Sequence, residues 1–366
     1  MKFVTILGAR PQFIKAAVVS QALQSTGYIK EIILHTGQHY DKNMSDIFFD
    51  EMEIPRPDIK LSIGSGNHGA QTGRMLEAIE KELLKEKPDG VIVYGDTNST
   101  LAGALAACKL LIPCIHIEAG LRSFNRTMPE EINRILTDHL SELLFAPTKT
   151  AVENLSKEGI NESKVFLVGD VMYDSTLYFS VRAEERSTIL KELNIENKPY
   201  ILTTIHRAEN TDNKENLADV FKGLAVIAQY YPIIMPIHPR TQHALKVNGL
   251  WEMANESIKL IEPLGYLDIM MLEKNAILIL TDSGGVQKEA FFHRIPCFTL
   301  RKETEWVELV DNGWNYLIPP KDLTNSIDKI IGSIKQKNSL AVDNYLYGGG
   351  TAAKRIAQII VDVFRK

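Results

Sequence analysis

The sequence lacks the signals of several large protein classes. Only three of its 366 residues are cysteines, and no two form a C-x-x-C pair, so neither a disulfide framework nor a common zinc motif is expected. The N-terminal apolar run is too short for a signal peptide, and the most apolar longer stretch, 101–120, contains Lys109 and Pro113 and cannot span a membrane. These absences predict a cytoplasmic globular protein without a membrane partner, whose cysteines are small buried hydrophobes.

Strong net charge is also missing. The chain has 46 acidic and 41 basic side chains, which leaves a net charge of −5. A charge of this sign and size argues against general nucleic-acid binding. Any anionic ligand must therefore be met by local cations rather than by the overall field of the protein.

Two cofactor fingerprints are absent. The chain contains no G-x-G-x-x-G segment and no P-loop, so nicotinamide or flavin binding loses its main support. His116 and Glu118 form an H-x-E pair of the kind found in zinc deaminases, but the P-C-x-x-C partner of that motif is missing. The residues therefore predict chemistry without a redox cofactor.

Short apolar runs rich in β-forming residues alternate with helical patterns along the chain. Each run is apolar nearly throughout, as expected of parallel strands covered on both faces. The predicted strands are 3–7, 31–36, 91–96, 114–118, 143–147 and 165–170, followed by 200–206, 233–238, 258–263, 276–282 and 296–300. This βα alternation, present twice, predicts two Rossmann-like, doubly wound parallel-sheet domains that face a cleft.

A charged, strand-poor stretch at 177–198 separates the two series of strands. It is typical of a helix and linker between domains. We therefore predict an N-terminal domain over 1–175 and a C-terminal nucleotide-binding domain over 195–350. The C-terminal helix, 352–366, is expected to pack back on the first domain.

Polar residues follow the predicted strands in both halves of the chain. In open parallel sheets, ligands bind outside the carboxyl ends of the strands, so these residues are expected to line one site. They are Gly8-Ala9-Arg10, Asp96, Glu118, His206, His238 and Asp282-Ser283.

The segment TDSGGVQKEA, 281–290, predicts a phosphate site. It follows a buried strand and opens a helix, and its two glycines let backbone N–H groups approach a ligand closely. The partial positive charge of a helix N-terminus favours phosphate, and Glu289 could accept hydrogen bonds from neighbouring sugar hydroxyls.

Carboxylates, a histidine and two cations complete an acid–base set. Asp96, Glu118 and Glu130 are the carboxylates, His206 can exchange a proton near neutral pH, and Arg10 and Lys15 follow the first strand. Glu131 and Arg134, three residues apart, could form an ordinary helical pair. Together these residues predict proton transfer on a diphosphate-linked substrate with a phosphate leaving group.

Eight segments of the chain carry a resemblance to a known family. They are GARPQFIK, TGQHYD, VYGDTNST, HIEAGLR, MPEEINR, TIHRAEN, PLGYLD and TDSGGVQKEA. In this order and spacing they resemble the non-hydrolysing UDP-N-acetylglucosamine 2-epimerases over nearly the whole chain. The resemblance implies the glycosyltransferase-B architecture, two Rossmann-like domains that close on a nucleotide sugar, and usually a homodimer. It also implies an isomerase of polysaccharide biosynthesis that needs neither NAD nor a catalytic metal.

The resemblance further implies a mechanism. C2 of the sugar is not next to a carbonyl, so its hydrogen is not acidic enough for direct removal. The family eliminates UDP across C1–C2 to give a 2-acetamidoglucal, then adds UDP back with a proton on the opposite face. The chain is thus expected to interconvert UDP-N-acetylglucosamine (UDP-GlcNAc) and UDP-N-acetylmannosamine (UDP-ManNAc).

Matching motifs assign roles residue by residue. Asp96, Glu118 and Glu130 match the proton-handling carboxylates, and His206 would assist at the glycosyl oxygen or the diphosphate. The substrate-binding residues carried over are Arg10, Lys15, Arg134, Leu264, Ser283, Gly284, Gly285 and Glu289. Within this set the Ser-Gly-Gly turn would take the diphosphate, Glu289 the ribose hydroxyls, and the backbone at Leu264 the uracil.

One departure from the family pattern keeps alternatives open. The usual T-E-R-P-E segment, whose arginine contacts the nucleotide, reads Thr304-Glu305-Trp306-Val307-Glu308 in this chain. This form resembles a subgroup that includes epimerases of UDP-2,3-diacetamido-2,3-dideoxyglucuronate, so an acidic sugar is a serious alternative substrate. A glycosyltransferase of the same architecture and a nucleotide-sugar-binding protein without catalysis are the alternatives from other classes.

Overall fold

The structure is a computed structural model that describes residues 1–38, 56–336 and 346–365. Residues 39–41 of the TGQHYD segment lie outside the described residues, as does the side chain of Arg10. The described chain divides into two compact units, the first formed by residues 1–178 and 346–365 and the second by residues 179–336.

Strands alternate with helices in both units. The strands are β1 (Lys2–Leu7), β2 (Lys30–His35), β3 (Ile59–Lys60), β4 (Gly90–Tyr94), β5 (Cys114–Ile117), β6 (Leu143–Ala146), β7 (Val165–Leu167), β8 (Ile201–Thr204), β9 (Ile233–Pro236), β10 (Lys259–Ile261), β11 (Leu278–Thr281), β12 (Cys297–Thr299) and β13 (Asn315–Leu317).

The helices alternate with the strands along most of the chain, with the last two after the final strand. They are α1 (Arg10–Ser25), α2 (His68–Glu86), α3 (Asn98–Lys109), α4 (Pro129–Leu140), α5 (Lys149–Lys157), α6 (Val171–Arg186), α7 (Ile189–Glu192), α8 (Ala208–Thr211), α9 (Lys214–Ile227), α10 (Pro239–Val247), α11 (Trp251–Ser257), α12 (Tyr266–Asn275), α13 (Gly284–Phe292), α14 (Val307–Asp311), α15 (Ile327–Gln336) and α16 (Ala352–Phe364). Across the three described ranges, no helix combines the length and apolar character needed to cross a membrane.

Each unit contains one parallel sheet. The first sheet has the order β3-β2-β1-β4-β5-β6-β7, and the second has the order β10-β9-β8-β11-β12-β13. Both orders run outward from the first strand in one direction and then in the other, which is the doubly wound arrangement. The prediction of two doubly wound parallel-sheet domains is therefore confirmed.

Continuous apolar strands result from burial on both faces of each sheet. All five residues of β4 are buried. Along β11, Leu278 and Leu280 belong to one apolar core of the second unit, whereas Ile279 belongs to another. Because successive side chains of a strand point to opposite faces, a strand covered on both faces is apolar along most of its length.

Helix α16 completes the first unit. The Phe3 and Phe364 rings meet edge to face with their centroids 5.1 Å apart. The Asp174 carboxylate of α6 accepts hydrogen bonds from the backbone N–H groups of Ala352 and Ala353, at 3.1 and 2.9 Å. The unit thus joins the beginning of the chain to a helix that follows the second unit in sequence.

The three cysteines are free thiols, and two of them are buried. The buried ones are Cys114 and Cys297, whereas Cys108 is partly buried. Burial raises the pKa of Cys114 and that of Cys297 to about 12. These two thiols are therefore protonated at neutral pH and unreactive as nucleophiles.

Candidate functional site

Several predicted site residues follow strands at which a sheet reverses its order, whereas Glu118 follows β5, the neighbour of β4. The first sheet reverses between β1 and β4, and the second between β8 and β11. In doubly wound sheets the carboxyl ends of these strands bind ligands. The carboxyl end of β4 leads to Asp96, that of β8 to His206, and that of β11 to Ser283.

Asp96 is held by helix α4. Its carboxylate forms an ion pair with Arg134, with Oδ2 and Nη2 separated by 2.6 Å, and its backbone carbonyl accepts a hydrogen bond from Asn133 at 3.0 Å. Burial raises the pKa of Asp96, Arg134 opposes this, and the negative charges of Glu118 and Glu130 raise it further. Since its side chain keeps 32% exposure, Asp96 is a carboxyl group that can exchange a proton with a ligand.

Glu118 is the second carboxylate at this point, and it pairs with Lys15. Its carboxylate contacts the Lys15 ammonium, and both side chains are almost fully buried. Glu118 follows the end of β5 and has a φ of +73°, which is uncommon for a residue with a side chain. A Cβ atom added at Gly95 would lie 3.1 Å from Glu118 Oε2 and 3.4 Å from Lys15 Nζ. The pair of Glu118 and Lys15 therefore lies directly against the residue that precedes Asp96.

The two glutamates at the start of α4 have different environments. Glu130 is exposed in the first turn and acts electrostatically on Asp96. Glu131 is buried, accepts hydrogen bonds from the backbone N–H groups of Ser123 and Phe124, and pairs with Arg134 at 3.2 Å. The predicted helical pair of Glu131 and Arg134 is thus confirmed, and Glu131 is occupied in holding the preceding loop.

His206 is oriented by Asp282 in the second unit. The Asp282 carboxylate is fully buried, accepts backbone N–H hydrogen bonds from His206 and Arg207 at 3.0–3.1 Å, and lies 3.3 Å from His206 Nδ1. Burial lowers the pKa of His206, and nearby arginines lower it further against the opposing effect of Asp282. The imidazole is therefore neutral near neutral pH, with its Nδ1 edge turned to a carboxylate.

The Ser-Gly-Gly turn begins helix α13 as predicted. Ser283 is the N-cap residue, and its side chain makes no hydrogen bond to the first turn. A Cβ atom at Gly284 would lie 3.4 Å from Arg207 Nη2, so a guanidinium lies beside this helix N-terminus. The first N–H groups of a helix have no partner within the helix, and together with a cation they favour an anion.

Glu289 lies on the second turn of the same helix. It is largely buried and accepts a hydrogen bond from the Tyr266 hydroxyl at 3.2 Å. Leu264 is partly buried against the core of the second unit that includes Ile279. In the described part of the chain, no group of three His, Cys, Asp or Glu side chains is arranged to hold a metal ion.

Comparison with known proteins decides the family. The sequence model described as UDP-N-acetylglucosamine 2-epimerase matches residues 21–361. The chain is a member of the UDP-N-acetylglucosamine 2-epimerase family. The family resemblance inferred from the eight motifs is thereby confirmed, and with it membership of a family of isomerases.

Three similar proteins illustrate the breadth of the family. A UDP-N-acetylglucosamine 2-epimerase homolog of Methanococcus maripaludis is 55% identical over 364 residues, covering 98% of this chain and 99% of that protein. A UDP-2,3-diacetamido-2,3-dideoxy-D-glucuronate 2-epimerase of Pseudomonas aeruginosa is 50% identical over 365 residues, with 98% and 99% coverage. The crystal structure of Methanocaldococcus jannaschii UDP-GlcNAc 2-epimerase in complex with UDP-GlcNAc and UDP is 49% identical, covers 99% of this chain and 100% of that chain, and has a TM-score of 0.91.

Trp306, which departs from the usual family motif, is a buried residue. Only 4% of it is exposed, and the ammonium of Lys288 lies 3.8 Å from the centre of its ring. Its neighbour Glu305 pairs with Arg301 at 3.1 Å and lies 3.9 Å from Arg207. The indole therefore packs on the phosphate-site helix through a cation–π contact instead of presenting an open aromatic plane.

Two contacts of this site were not predicted from the sequence. Asp282 was expected among the polar residues that follow strands, but its hydrogen bonds to the His206 segment were not, nor was the position of Arg207 beside Gly284. Asp282 and Arg207 both follow strands at which the second sheet reverses. The sequence places Arg207 directly after His206, which marks it as a candidate site residue. It does not show that the guanidinium lies beside the N-terminus of α13, because that depends on the backbone conformation.

Proposed function

We propose that the protein inverts C2 of UDP-N-acetylglucosamine to give UDP-N-acetylmannosamine, by elimination and re-addition of UDP. One observation carries the proposal. In a member of this family, Asp96 directly follows Gly95, Glu118 Oε2 would lie 3.1 Å from a Cβ atom added at that glycine, and burial and the charge of Glu118 raise the pKa of Asp96. Two carboxyl groups near one point can take up and return a proton with different affinities.

The proposed reaction has two halves that balance. A carboxylate removes the C2 proton while the C1–O bond breaks, so that UDP leaves and a C1–C2 double bond forms. UDP oxygen then attacks C1 again, and a carboxyl group delivers a proton to the opposite face of C2. Asp96, Glu118 and Glu130 are the groups proposed to exchange these protons, and His206 is proposed to assist at the oxygen that leaves and returns.

The second unit is proposed to hold the nucleotide. The N-terminus of α13, at Ser283, Gly284 and Gly285, would bind the diphosphate, because unpaired N–H groups and Arg207 both favour negative charge. Glu289 would accept hydrogen bonds from the ribose hydroxyls. The backbone at Leu264 would contact the uracil.

Cations are proposed to act from the first unit. Lys15 would balance the charge of Glu118, and Arg134 that of Asp96, so that each carboxylate can ionise in a buried setting. Arg10 is proposed as a further contact to the diphosphate. A cytoplasmic homodimer that needs neither NAD nor a catalytic metal completes the proposal.

A second candidate substrate is a UDP-linked diacetamido uronate. The 50% identical Pseudomonas aeruginosa relative has that name, and this chain has Trp306 where the nucleotide-contacting arginine of the usual motif is expected. The proposed chemistry at C1 and C2 would be the same. The two substrates differ at C3 and C6, and neither of these carbons gains or loses a bond in the proposed reaction.

Turnover of both UDP-sugars in D2O tests the proposal. The purified protein, without added NAD or metal, is expected to give UDP-ManNAc from UDP-GlcNAc with one deuterium at C2, measured by NMR and mass spectrometry. The Asp96→Asn variant serves as control, with turnover expected to fall by about 100-fold or more because general acid–base groups contribute that much. Product without solvent deuterium would contradict the elimination route, and turnover of the uronate alone would favour the second candidate.

A further inference from the structure

A buried charge cluster contacts the two carboxylate segments of the first unit, which are the residues adjoining Asp96 and those adjoining Glu118. His116 and Asp138 are completely buried, and Arg122 is nearly so. His116 Nδ1 and Asp138 Oδ1 are 2.7 Å apart, and Arg122 Nη1 lies 2.8 Å from Asp138 Oδ2. Neither His116 nor Asp138 has a part in the proposed reaction.

His116 fixes the segment that leads to Asp96. Its Nε2–H donates a hydrogen bond to the carbonyl of Gly95 at 2.7 Å, and the N–H of Gly95 donates to the carbonyl of Ile117 at 3.0 Å. Gly95 itself has a φ of +60°. The residue immediately before Asp96 is thus tied to β5 through both of its backbone polar groups, in a conformation that favours glycine.

Asp138 fixes the segment that follows Glu118. Its Oδ2 accepts a hydrogen bond from the backbone N–H of Gly120 at 3.1 Å, while its Oδ1 lies against His116. Although burial alone would raise the pKa of Asp138, His116 and Arg122 lower it. The Gly95 carbonyl can only accept, so His116 Nε2–H donates to it, and His116 Nδ1 faces the Asp138 carboxylate.

One side chain therefore reaches both carboxylate segments. Asp138 is bonded directly to Gly120, two residues after Glu118, and through His116 to Gly95, one residue before Asp96. A shift of either segment would break a hydrogen bond in a fully buried place, which is costly. The distance between the two carboxylates is thus coupled to the position of α4, which carries Asp138.

We infer that Asp138 and His116 are positioning residues that hold Asp96 and Glu118 at a fixed separation for the two proton transfers. This inference rests on the proposed function. Small displacements of reacting groups reduce turnover strongly, and a displacement of about 1 Å can cost about 100-fold. Loss of Asp138 should therefore reduce kcat and leave nucleotide binding by the second unit unchanged.

The test compares three variants of the full chain. Asp138→Ala removes both hydrogen bonds, whereas Asp138→Asn keeps an oxygen for Gly120 and an N–H that can donate to His116 Nδ1. Glu158→Gln is the matched control, because Glu158 belongs to the same cluster through Arg122, at 2.7 Å, but bonds to neither carboxylate segment. The measurements are kcat and KM for UDP-GlcNAc, C2 deuterium exchange, and the Kd for UDP.

The expected pattern is graded. Asp138→Ala should lower kcat and C2 exchange by about 100-fold with unchanged Kd for UDP, Asp138→Asn should lose markedly less, and Glu158→Gln should match the wild type. If Asp138→Ala fails to fold, His116→Phe, which keeps an aromatic ring but removes both hydrogen bonds, should show the same loss.

Two results would overturn the inference. One is wild-type kcat in a folded variant that lacks the Asp138 bonds, and the other is a loss in Glu158→Gln as large as in Asp138→Ala. The wild type in the same assay separates this inference from the proposed function. If the wild type exchanges no deuterium at C2, the proposed reaction fails; if it does and the variants exchange equally well, only the positioning role fails.

Discussion

Two opposite effects act on the pKa of Asp96. Asp96 forms a short ion pair with Arg134, which favours the ionised form, yet its surroundings raise its pKa overall. An ionised carboxylate that is not far from accepting a proton suits a group that removes a proton and later returns one. The ion pair thus opposes the effect of burial on the pKa of Asp96 and favours the ionised carboxylate.

Replacing Arg134 should move the acidic limb of the pH–rate profile. Arg134 lowers the pKa of Asp96, so the Arg134→Gln variant should have a still higher pKa at Asp96. Less of the carboxylate is then ionised at mildly acidic pH, and kcat should begin to fall at higher pH than in the wild type. The measurement is kcat for UDP-GlcNAc across pH 4–8.

Arg134→Lys is the matched control for this shift, because it keeps the positive charge beside Asp96. Its acidic limb should stay close to that of the wild type. A limb that is unmoved in Arg134→Gln, or moved to lower pH, would contradict a role for ionised Asp96.

Individual partners of the site residues could not be predicted from the sequence. Asp96, Glu118 and His206 could be predicted as site residues from their positions after apolar strands, because ligands bind at the carboxyl ends of the strands in parallel sheets. The pairing of Lys15 with Glu118 could not be predicted, since the two residues are separated by 103 positions and meet only through the sheet order. Lys15 was therefore predicted as an anion contact, with no indication of its carboxylate partner.

At the scale of elements, every central strand was predicted, whereas two of the four edge strands were not. The central strands are continuous apolar runs because both faces are covered, as in β4 and β11. β3, of two residues, and β13, of three, lie at the outer edges of the two sheets and were not predicted. An edge strand is less covered, so its sequence need not form an apolar run; β7 and β10 lie in such runs and were predicted, whereas β3 and β13 were missed.

Asp174 makes the attachment of α16 dependent on pH. Burial raises the pKa of Asp174 to about 6, against the lowering effect of the Ala352 and Ala353 N–H groups. The folded state binds the proton of the Asp174 carboxyl group more tightly than the unfolded state does, so protonation of Asp174 stabilises the fold. This stabilisation is present at low pH and is lost as pH rises from about 4 to about 6. Two pKa units correspond to about 3 kcal/mol.

Asp174→Asn should remove this dependence. Relative to the wild type, the free energy of unfolding of the variant should increase by about 3 kcal/mol between pH 4 and pH 7, since the amide does not titrate. Urea unfolding at both pH values measures the difference. Asp362→Asn, an exposed substitution on α16, should show no such change. Equal behaviour of the two variants would refute the assignment to Asp174.

At the scale of the whole molecule, the same strand order occurs twice with different side chains at the reversal points. The first unit presents carboxylates there, and the second presents a helix N-terminus, a histidine and an arginine. This repeated topology followed from the alternation of strands and helices in the sequence. The division of chemistry between the units followed from the residue types that end each strand.

That division predicts separable defects in binding and turnover. Glu289→Ala should raise the Kd for UDP by about tenfold or more, because a lost hydrogen bond at a buried carboxylate costs about 1–3 kcal/mol. Asp96→Asn should bind UDP as the wild type does and fail in C2 exchange. Isothermal titration with UDP, beside NMR exchange, measures both; an unchanged Kd in Glu289→Ala would remove Glu289 from the nucleotide site.

The edge-to-face contact of Phe3 with Phe364 has a consequence for synthesis of the chain. The opening strand of the first unit makes this ring contact with α16, which follows the entire second unit in sequence. On the ribosome, Phe3 therefore lacks this contact until the second unit has been translated. The part of the protein that is made first is thus the part that is finished last.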